Sequence, residues 1–217
     1  MIEGHFIVIE GIDGSGTTTQ CMRLADRLTA KGLPVHITRE PSDGPVGVLI
    51  RQILTGRVVV PGHHGAHPSS WATMAALFAA DRLDHLEAEI VPNLMDGVSI
   101  LCDRYDYSSV AYQTVSSGAG ADSARWVREL NRRARRPDLT LVLDVSPEIA
   151  AGRRGSRSGS PELYETDAMQ AELAAFYSTI DELFPDDRIR HIDANRDIEG
   201  VAEAIWAEVA ALRGESP

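Results

Sequence analysis

The first residues able to do chemistry form a glycine-rich run at 11–20, Gly-Ile-Asp-Gly-Ser-Gly-Thr-Thr-Thr-Gln. It fits the phosphate-loop pattern G-x-x-x-x-G-K-[ST], except that threonine stands in place of the lysine. Glycines let the chain turn tightly and bring successive N–H groups close to an anion, and the helix expected to follow directs its positive end to the same place. We therefore predict that nucleotide phosphates bind at Gly11, Gly14, Ser15, Gly16, Thr17, Thr18 and Thr19.

Thr17 occupies the position of the missing lysine. A lysine there normally reaches the β and γ oxygens of the nucleotide, whereas a threonine hydroxyl is neutral and too short. Removing one donor aimed at developing charge typically slows catalysis by about 10²–10³. An arginine supplied from elsewhere can stabilise the same charge. Nucleotide binding thus follows from the loop itself, while phosphoryl transfer requires another cation.

Charged residues follow two other strand-like runs. Asp103 is the last residue of the run 98–103 and Arg104 follows it. Arg39 directly follows the run 34–38. Side chains at the carboxyl ends of parallel strands point into the crevice where ligands bind. Asp103 could hold Mg²⁺ opposite the Thr18 hydroxyl, and either arginine could grip a phosphate. A plain Asp103–Arg104 ion pair at a strand end is an equally good interpretation of that dipeptide.

Two predicted helices carry groups able to recognise a base and a sugar. Phe78 and Arg82 are four residues apart and share a helical face, where a ring could stack on a base and a guanidinium could bond its edge. Spacing alone favours the simpler alternative, a core phenylalanine with a surface arginine. Ser109, Tyr112 and Gln113 lie within about one turn of each other on the next such helix.

A further basic segment lies at 152–163, which is rich in glycine, serine and arginine and has no helical periodicity. Arg153, Arg154 and Arg157 fall within five residues of each other, although the chain as a whole is acidic. Such a segment can be a flap that closes over phosphates or a plain flexible linker. The arginine cluster favours the flap, and Arg154 or Arg157 is then our candidate for the missing cation.

The elements that must position these residues alternate along the chain. Apolar, strand-like runs occur at 5–10, 34–38, 98–103, 139–144 and 189–193. Helix-like stretches occur at 17–31, 45–55, 70–90, 106–117, 123–135, 147–153, 165–183 and 197–213. Alternating strands and helices indicate right-handed βαβ units and a parallel sheet, so the predicted class is α/β.

Composition narrows the class of function. The chain has 217 residues and a formal net charge of −11, which argues against general nucleic-acid binding and favours an enzyme acting on small molecules. No run of 18 apolar residues and no basic leader is present, so we expect no membrane partner and a cytoplasmic location. Cys21 and Cys102 lie in core-like segments, and His63, His64 and His67 lie in a loop without regular ligand spacing.

Taken together, the motifs resemble those of the thymidylate kinase family. The matching pieces are Phe-Ile-Val-Ile-Glu-Gly-Ile-Asp-Gly-Ser-Gly, Thr-Arg-Glu-Pro, Leu-Phe-Ala-Ala-Asp-Arg, Asp-Arg-Tyr-x-x-Ser-x-x-Ala-Tyr-Gln and Leu-Asp-Val-Ser-Pro-Glu. The resemblance implies a single domain over 1–217, a P-loop NTPase three-layer sandwich with a five-stranded parallel sheet and a lid at about 152–165. It also implies ATP and Mg²⁺ as cofactors, dTMP as acceptor and a homodimer.

The resemblance also implies roles for individual residues. Asp13 would contact the ribose 3′-hydroxyl of dTMP, and Arg39 and Arg104 would clamp its phosphate. On the base, Phe78 would stack on thymine and Arg82 would reach its O4. Ser109 would lie beside the thymine edge, Tyr112 against C2′, and Gln113 among the other substrate-binding residues. Thr18 and Asp103 would serve Mg²⁺, and Arg154 and Arg157 would be catalytic arginines.

The family divides by the source of its catalytic arginine. One type carries the arginine in the phosphate loop, at the position that Gly14 holds here, and the other type carries basic residues in the lid. Gly14 and the cluster at 153–157 resemble the lid type. Two alternatives to a dTMP kinase stay open: a nucleotide-binding pseudokinase or regulator that lost efficient catalysis at Thr17, and a kinase for another nucleoside monophosphate.

Overall fold

The computed structural model describes residues 4–155 and 166–215. Five strands form one parallel sheet in the order β2-β3-β1-β4-β5. The strands are β1 (Phe6–Gly11), β2 (Val35–Arg39), β3 (Ser99–Asp103), β4 (Leu139–Asp144) and β5 (Ile189–Asp193). Each observed strand lies within one residue of its predicted bounds. The α/β class and the five-stranded parallel sheet are therefore confirmed.

Helices cover the sheet, and the fully buried β1 lies at its centre. They are α1 (Thr17–Ala30), α2 (Pro45–Leu54), α3 (Trp71–His85), a π-helical turn (Leu86–Ile90), α4 (Val91–Met95), α5 (Asp106–Ser117), α6 (Ala121–Leu130), α7 (Pro147–Gly155), α8 (Asp167–Tyr177), α9 (Ile180–Leu183) and α10 (Ile198–Arg213). None of the helices in the described part of the chain has the length and apolar character needed to span a membrane.

Three predicted helices have different bounds in the structure, and one of them, predicted at 123–135, is observed as α6 at Ala121–Leu130. The predicted helix 70–90 continues through the π-helical turn into α4. The changed hydrogen-bond pattern of the turn accommodates Pro92, which has no N–H to donate. The predicted helix 165–183 is interrupted after Tyr177. There the hydroxyls of Ser178 and Thr179 donate to the carbonyls of Ala175 and Phe176 and so compete with the helical bonds.

The sheet brings the candidate residues together at one edge. In the strand register, Ile9 of β1 and Arg39 of β2 both pair with Asp103 of β3. The phosphate loop therefore leaves β1 beside the end of β3, and α3 and α5 pack against each other over the same edge. Ligand sites in open parallel sheets form at this carboxyl edge.

Candidate active site

The phosphate loop has the backbone conformation that its glycines permit. Gly11, Gly14 and Gly16 have φ angles of +154°, +91° and +103°, values that side chains disfavour. Gly16 is the N-cap of α1, so the first N–H groups of that helix point into the loop. Thr17 is only 7% exposed. The loop is thus built to bind an anion through its backbone, while the residue at the lysine position is buried.

Helix α7 lies directly against this loop. A Cβ on Gly14 would stand 2.4 Å from the carbonyl oxygen of Ala150. Arg154 donates to the Asp13 carbonyl oxygen at 2.7 Å, and its other Nη pairs with Asp167 at 2.7 Å. Arg153 donates to the carbonyl oxygen of Ala194 at 3.0 Å. Two guanidinium groups therefore lie beside the loop that lacks its lysine.

Helix α7 extends past the start of the predicted lid, whose bounds stay a prediction. The sequence suggested a lid from about 152, but α7 continues to Gly155 and carries Arg153 and Arg154 in its last turn. The two arginines thus stand on a helix packed against the protein, because Ala150 anchors that helix on Gly14. Arg157 lies outside the described residues.

Thr18 and Asp103 meet as a metal site would require. The Thr18 hydroxyl donates to Asp103 Oδ2, and Asp103 Oδ1 is buried without a hydrogen-bond partner in the described part of the chain. A hydroxyl beside an under-satisfied carboxylate offers the hard oxygen ligands that Mg²⁺ prefers. Among residues 4–155 and 166–215, no three His, Cys, Asp or Glu side chains form a metal-binding group.

Arg104 joins the phosphate loop to the acceptor side. It has a φ of +71° and donates to the Gly11 carbonyl oxygen at 2.8 Å and to Asp13 Oδ1 at 2.6 Å. Burial opposes its charge, but Tyr112 and Asp13 outweigh that effect and raise the pKa of Arg104, so the guanidinium stays cationic. The alternative interpretation, an ion pair between Asp103 and Arg104, is wrong because Arg104 pairs with Asp13 instead.

An open cleft lies beyond Arg104, with a cavity volume of about 140 Å³. Phe78 is half-buried on its wall, whereas Arg82 is 1% exposed. The simpler interpretation of a core phenylalanine and a surface arginine is therefore wrong. The described residues that line the cleft are Asp13, Glu40, Pro41, Leu54, Phe78, Arg82, Arg104, Tyr105, Ser108, Ser109, Tyr112 and Gln113.

The far end of the cleft is organised around Arg82. Its Nη2 donates to Glu40 Oε2 at 2.5 Å and to Ser109 Oγ at 3.0 Å, and its Nη1 donates to Asn131. Gln113 is fully buried, and neither atom of its amide has a hydrogen-bond partner within the described ranges. A buried amide in a cleft wall with its donor and acceptor both unused can bond the edge of a base.

Arg39 stands apart from this group. Its side chain is exposed and donates to Asp43 Oδ1 at 3.1 Å, and it is not among the described residues that line the cleft. The hydrogen bond from Arg39 holds the pKa of Asp43 below its usual range. The phosphate-clamp role of Arg39 stays a prediction, and of the two candidate clamp arginines Arg104 is the one that lines the cleft.

The sequence analysis missed three buried residues of the site. Glu10 accepts hydrogen bonds from Tyr105 N at 2.7 Å, Ser108 Oγ at 2.6 Å and the Tyr177 hydroxyl at 2.8 Å, and burial raises its pKa to about 7. Glu40 holds Arg82, and Gln170 of α8 contacts Asp13. A carboxylate inside the apolar run of β1 was the available signal for Glu10, whereas no pattern marked Gln170.

Comparisons with known proteins agree with this geometry. A family model described as thymidylate kinase matches residues 9–205. The chain is 38% identical over 208 residues to the probable thymidylate kinase of Pyrococcus horikoshii, with 96% of this chain and 97% of the relative covered. It is 35% identical over 213 residues to the thymidylate kinase of Alkalilimnicola ehrlichii, with 97% and 94% covered. The chain therefore belongs to the thymidylate kinase family.

Proposed function

We propose that this chain, as a single kinase domain, transfers the γ-phosphoryl group of ATP to dTMP and releases dTDP and ADP. A phosphate oxygen of dTMP forms a bond to the γ phosphorus, and the bond from that phosphorus to the β–γ bridging oxygen breaks. One observation carries the proposal: Arg104, which lines the cleft, bonds the phosphate loop at both the Gly11 carbonyl oxygen and Asp13 Oδ1. Donor and acceptor phosphates are thereby directed to one place.

On the acceptor side, the cleft supplies groups for each part of the nucleotide. Phe78 stacks on thymine, and Arg82, Ser109 and Gln113 face the edge of the base. Tyr112 lies against the sugar, and Asp13 receives the 3′-hydroxyl while Arg104 binds the phosphate. The acceptor is already an anion that can attack, so the chemistry depends mainly on positioning and charge stabilisation.

On the donor side, the backbone from Gly11 to Thr19 holds the phosphates of ATP. Thr18 and Asp103 would hold Mg²⁺, which when bound neutralises charge on the phosphates. The charge that lysine usually provides would come from α7. Arg154 is 12% exposed and already bonded to the loop at the Asp13 carbonyl oxygen, so a guanidinium stands within reach of the loop. Arg157 remains a second candidate outside the described residues.

The test is ADP release from Mg-ATP in the presence of dTMP, with dUMP, dCMP and dGMP as other acceptors. We expect dTMP-dependent turnover in the wild type and a loss of about 10²–10³ in kcat for Arg154→Met. Thr17→Lys should restore turnover to Arg154→Met, because the lysine then supplies the missing charge. Arg125→Met, which removes an exposed arginine paired with Asp122, is the matched control. Full turnover in Arg154→Met would overturn the role of Arg154.

The buried Thr17 favours a second candidate, a nucleotide-binding pseudokinase or regulator. Such a protein would be thermally stabilised by ATP or dTMP but would release no ADP. Turnover only in Thr17→Lys would support it, whereas turnover with another monophosphate alone would assign a different acceptor.

A homodimer and a cytoplasmic location also stay predictions. Exposed Leu83 and Met95, on α3 and α4, offer an apolar surface for the dimer, which light scattering can check.

A further inference from the structure

Four atoms of Asp13 make hydrogen bonds to residues from three other parts of the chain. Arg104 donates to Oδ1 at 2.6 Å, and Arg154 of α7 donates to the carbonyl oxygen at 2.7 Å. The other two contacts come from one side chain of α8: Gln170 Nε2 donates to Asp13 Oδ2 at 2.8 Å, and Gln170 Oε1 accepts from Asp13 N at 3.0 Å. Gln170 is completely buried and is not among the described residues that line the cleft.

At neutral pH an amide suits both of the contacts that Gln170 makes. The Asp13 N–H can only donate and the Asp13 carboxylate can only accept, so the partner must offer an acceptor and a donor side by side. This requirement also fixes which end of the Gln170 amide carries the nitrogen. A glutamate would place an oxygen against the carboxylate, and a leucine would leave two polar groups unpaired in a buried place.

We propose that Gln170 is the positioning residue for Asp13, through which helix α8 sets the direction of the carboxylate that receives the acceptor's 3′-hydroxyl. The inference rests on the proposed function for the identity of the acceptor. With Arg104 on one carboxylate oxygen and Gln170 on the other, the carboxylate plane has a single orientation. Gln170 thereby contributes to recognition of the sugar without contributing to the cleft wall.

The first test uses the protein without ligand. Gln170→Glu sets a buried carboxylate against the partly buried carboxylate of Asp13, so it should lower the melting temperature, and by more at pH 8 than at pH 5, where one of the two can hold a proton and donate again. The charged and titratable groups around this pair on the surrounding elements are Glu10, Arg104, Tyr112, Arg154, Asp167 and Tyr177. These groups are common to all variants, so a difference in melting temperature between variants reports the interaction between residues 13 and 170.

The double variant Asp13→Asn, Gln170→Glu exchanges the donor and the acceptor between the side chains at positions 13 and 170. The amide introduced at position 13 can donate to the carboxylate introduced at position 170, which still accepts from the backbone N–H of residue 13. We expect the double variant to recover most of the stability that Gln170→Glu loses. The matched control is Gln20→Glu, since Gln20 is a buried glutamine of α1 that donates to the Ile198 carbonyl oxygen. Asp13→Asn should not rescue it, and absence of rescue at position 170 would overturn the pairing.

The second test separates positioning from a purely structural role. Wild type should bind dTMP at least tenfold more tightly than its 3′-deoxy analogue, because the analogue leaves the Asp13 carboxylate unpaired. In Gln170→Leu that ratio should fall towards one, whereas Gln20→Glu should keep it. An unchanged ratio in Gln170→Leu would overturn the positioning role. If the wild type binds neither nucleotide, the proposed function fails, and the stability test still decides whether Gln170 holds Asp13.

Discussion

Arg82 Nη2 donates to Glu40 Oε2 inside the protein, where the two side chains are 1% and 2% exposed. Ser109 Oγ and Asn131 Oδ1 accept further bonds from the same guanidinium. Burying an ion pair seldom stabilises a fold by itself, because desolvation offsets the attraction. Its effect here is to hold a charged donor in one orientation at the end of the cleft before any ligand arrives.

The first prediction concerns Glu40→Gln, which keeps the shape of the side chain and removes its charge. Arg82 would then be a buried cation without a counterion, so we expect a loss of about 3 kcal/mol in the free energy of unfolding. Urea titration measures that loss, and calorimetry should show weaker dTMP binding. Asp43→Asn, which changes an exposed carboxylate, should alter stability by under about 1 kcal/mol. Equal losses in the two variants would contradict the prediction.

The second prediction concerns pH and Glu10. Its pKa rises on folding from an ordinary 4.5 to about 7 because of burial, so the folded state binds the proton more tightly than the unfolded state. The resulting stability is fully present below pH 4.5 and is lost as the pH rises through 7. A raised pKa of this size corresponds to on the order of 3 kcal/mol between pH 4.5 and pH 8, since one pKa unit is about 1.4 kcal/mol.

Glu10→Gln isolates this contribution, because the variant cannot ionise at that position. We expect the wild type to lose more unfolding free energy than Glu10→Gln as the pH rises from 4.5 to 8. His191, whose pKa is raised by Asp144, titrates in both proteins and so cancels in the comparison. Parallel curves of stability against pH for the two proteins would show that Glu10 does not titrate in this range.

The third prediction concerns the metal ligands. Asp103→Asn removes the charge opposite Thr18, so the Mg²⁺ concentration that gives half-maximal turnover should rise about tenfold or more. The KM for dTMP should change little, because Asp103 is not among the described residues that line the acceptor cleft. Asp96→Asn at the end of α4 serves as a control for a lost carboxylate. A shift in the dTMP KM alone would place Asp103 on the acceptor side instead.

The fourth prediction compares two glycines of the phosphate loop. Alanine at Gly14 or Gly16 meets the same unfavourable backbone, which costs roughly 1–2 kcal/mol at each position. A Cβ at Gly14 also meets the Ala150 carbonyl oxygen at 2.4 Å, whereas one at Gly16 meets nothing within 4 Å. Gly14→Ala should therefore lose clearly more unfolding free energy than Gly16→Ala. Similar losses in a urea titration would mean that α7 moves away at little cost.

Local patterns in the sequence were sufficient for the sheet and for the residues at strand ends. The apolar runs placed all five strands, and the loop glycines, Asp103 and Arg104 follow those strands at the carboxyl edge. The bond between Thr18 and Asp103 was foreseeable for that reason, since both positions are fixed by neighbouring parallel strands. Helix ends were less predictable, because Ser178 and Thr179 end α8 through their side chains.

Contacts between distant segments were beyond the reach of the sequence. Gln170 is one polar residue in a helix of ordinary composition, and its contact with Asp13 spans 157 positions. The burial of Arg82 depends on Glu40, Ser109 and Asn131, which come from three other parts of the chain. Periodicity describes one element at a time, so it carries no information about such pairings.

The close approach of α7 to Gly14 also bears on how kinases of this family can change during evolution. An arginine at position 14, as the loop-arginine type has, would drive its Cβ into the Ala150 carbonyl oxygen. A single substitution therefore cannot place an arginine at position 14 unless α7 is repacked. The packing of one helix thus closes position 14 to a cationic side chain, and it leaves residues outside the phosphate loop as the accessible source of a replacement charge.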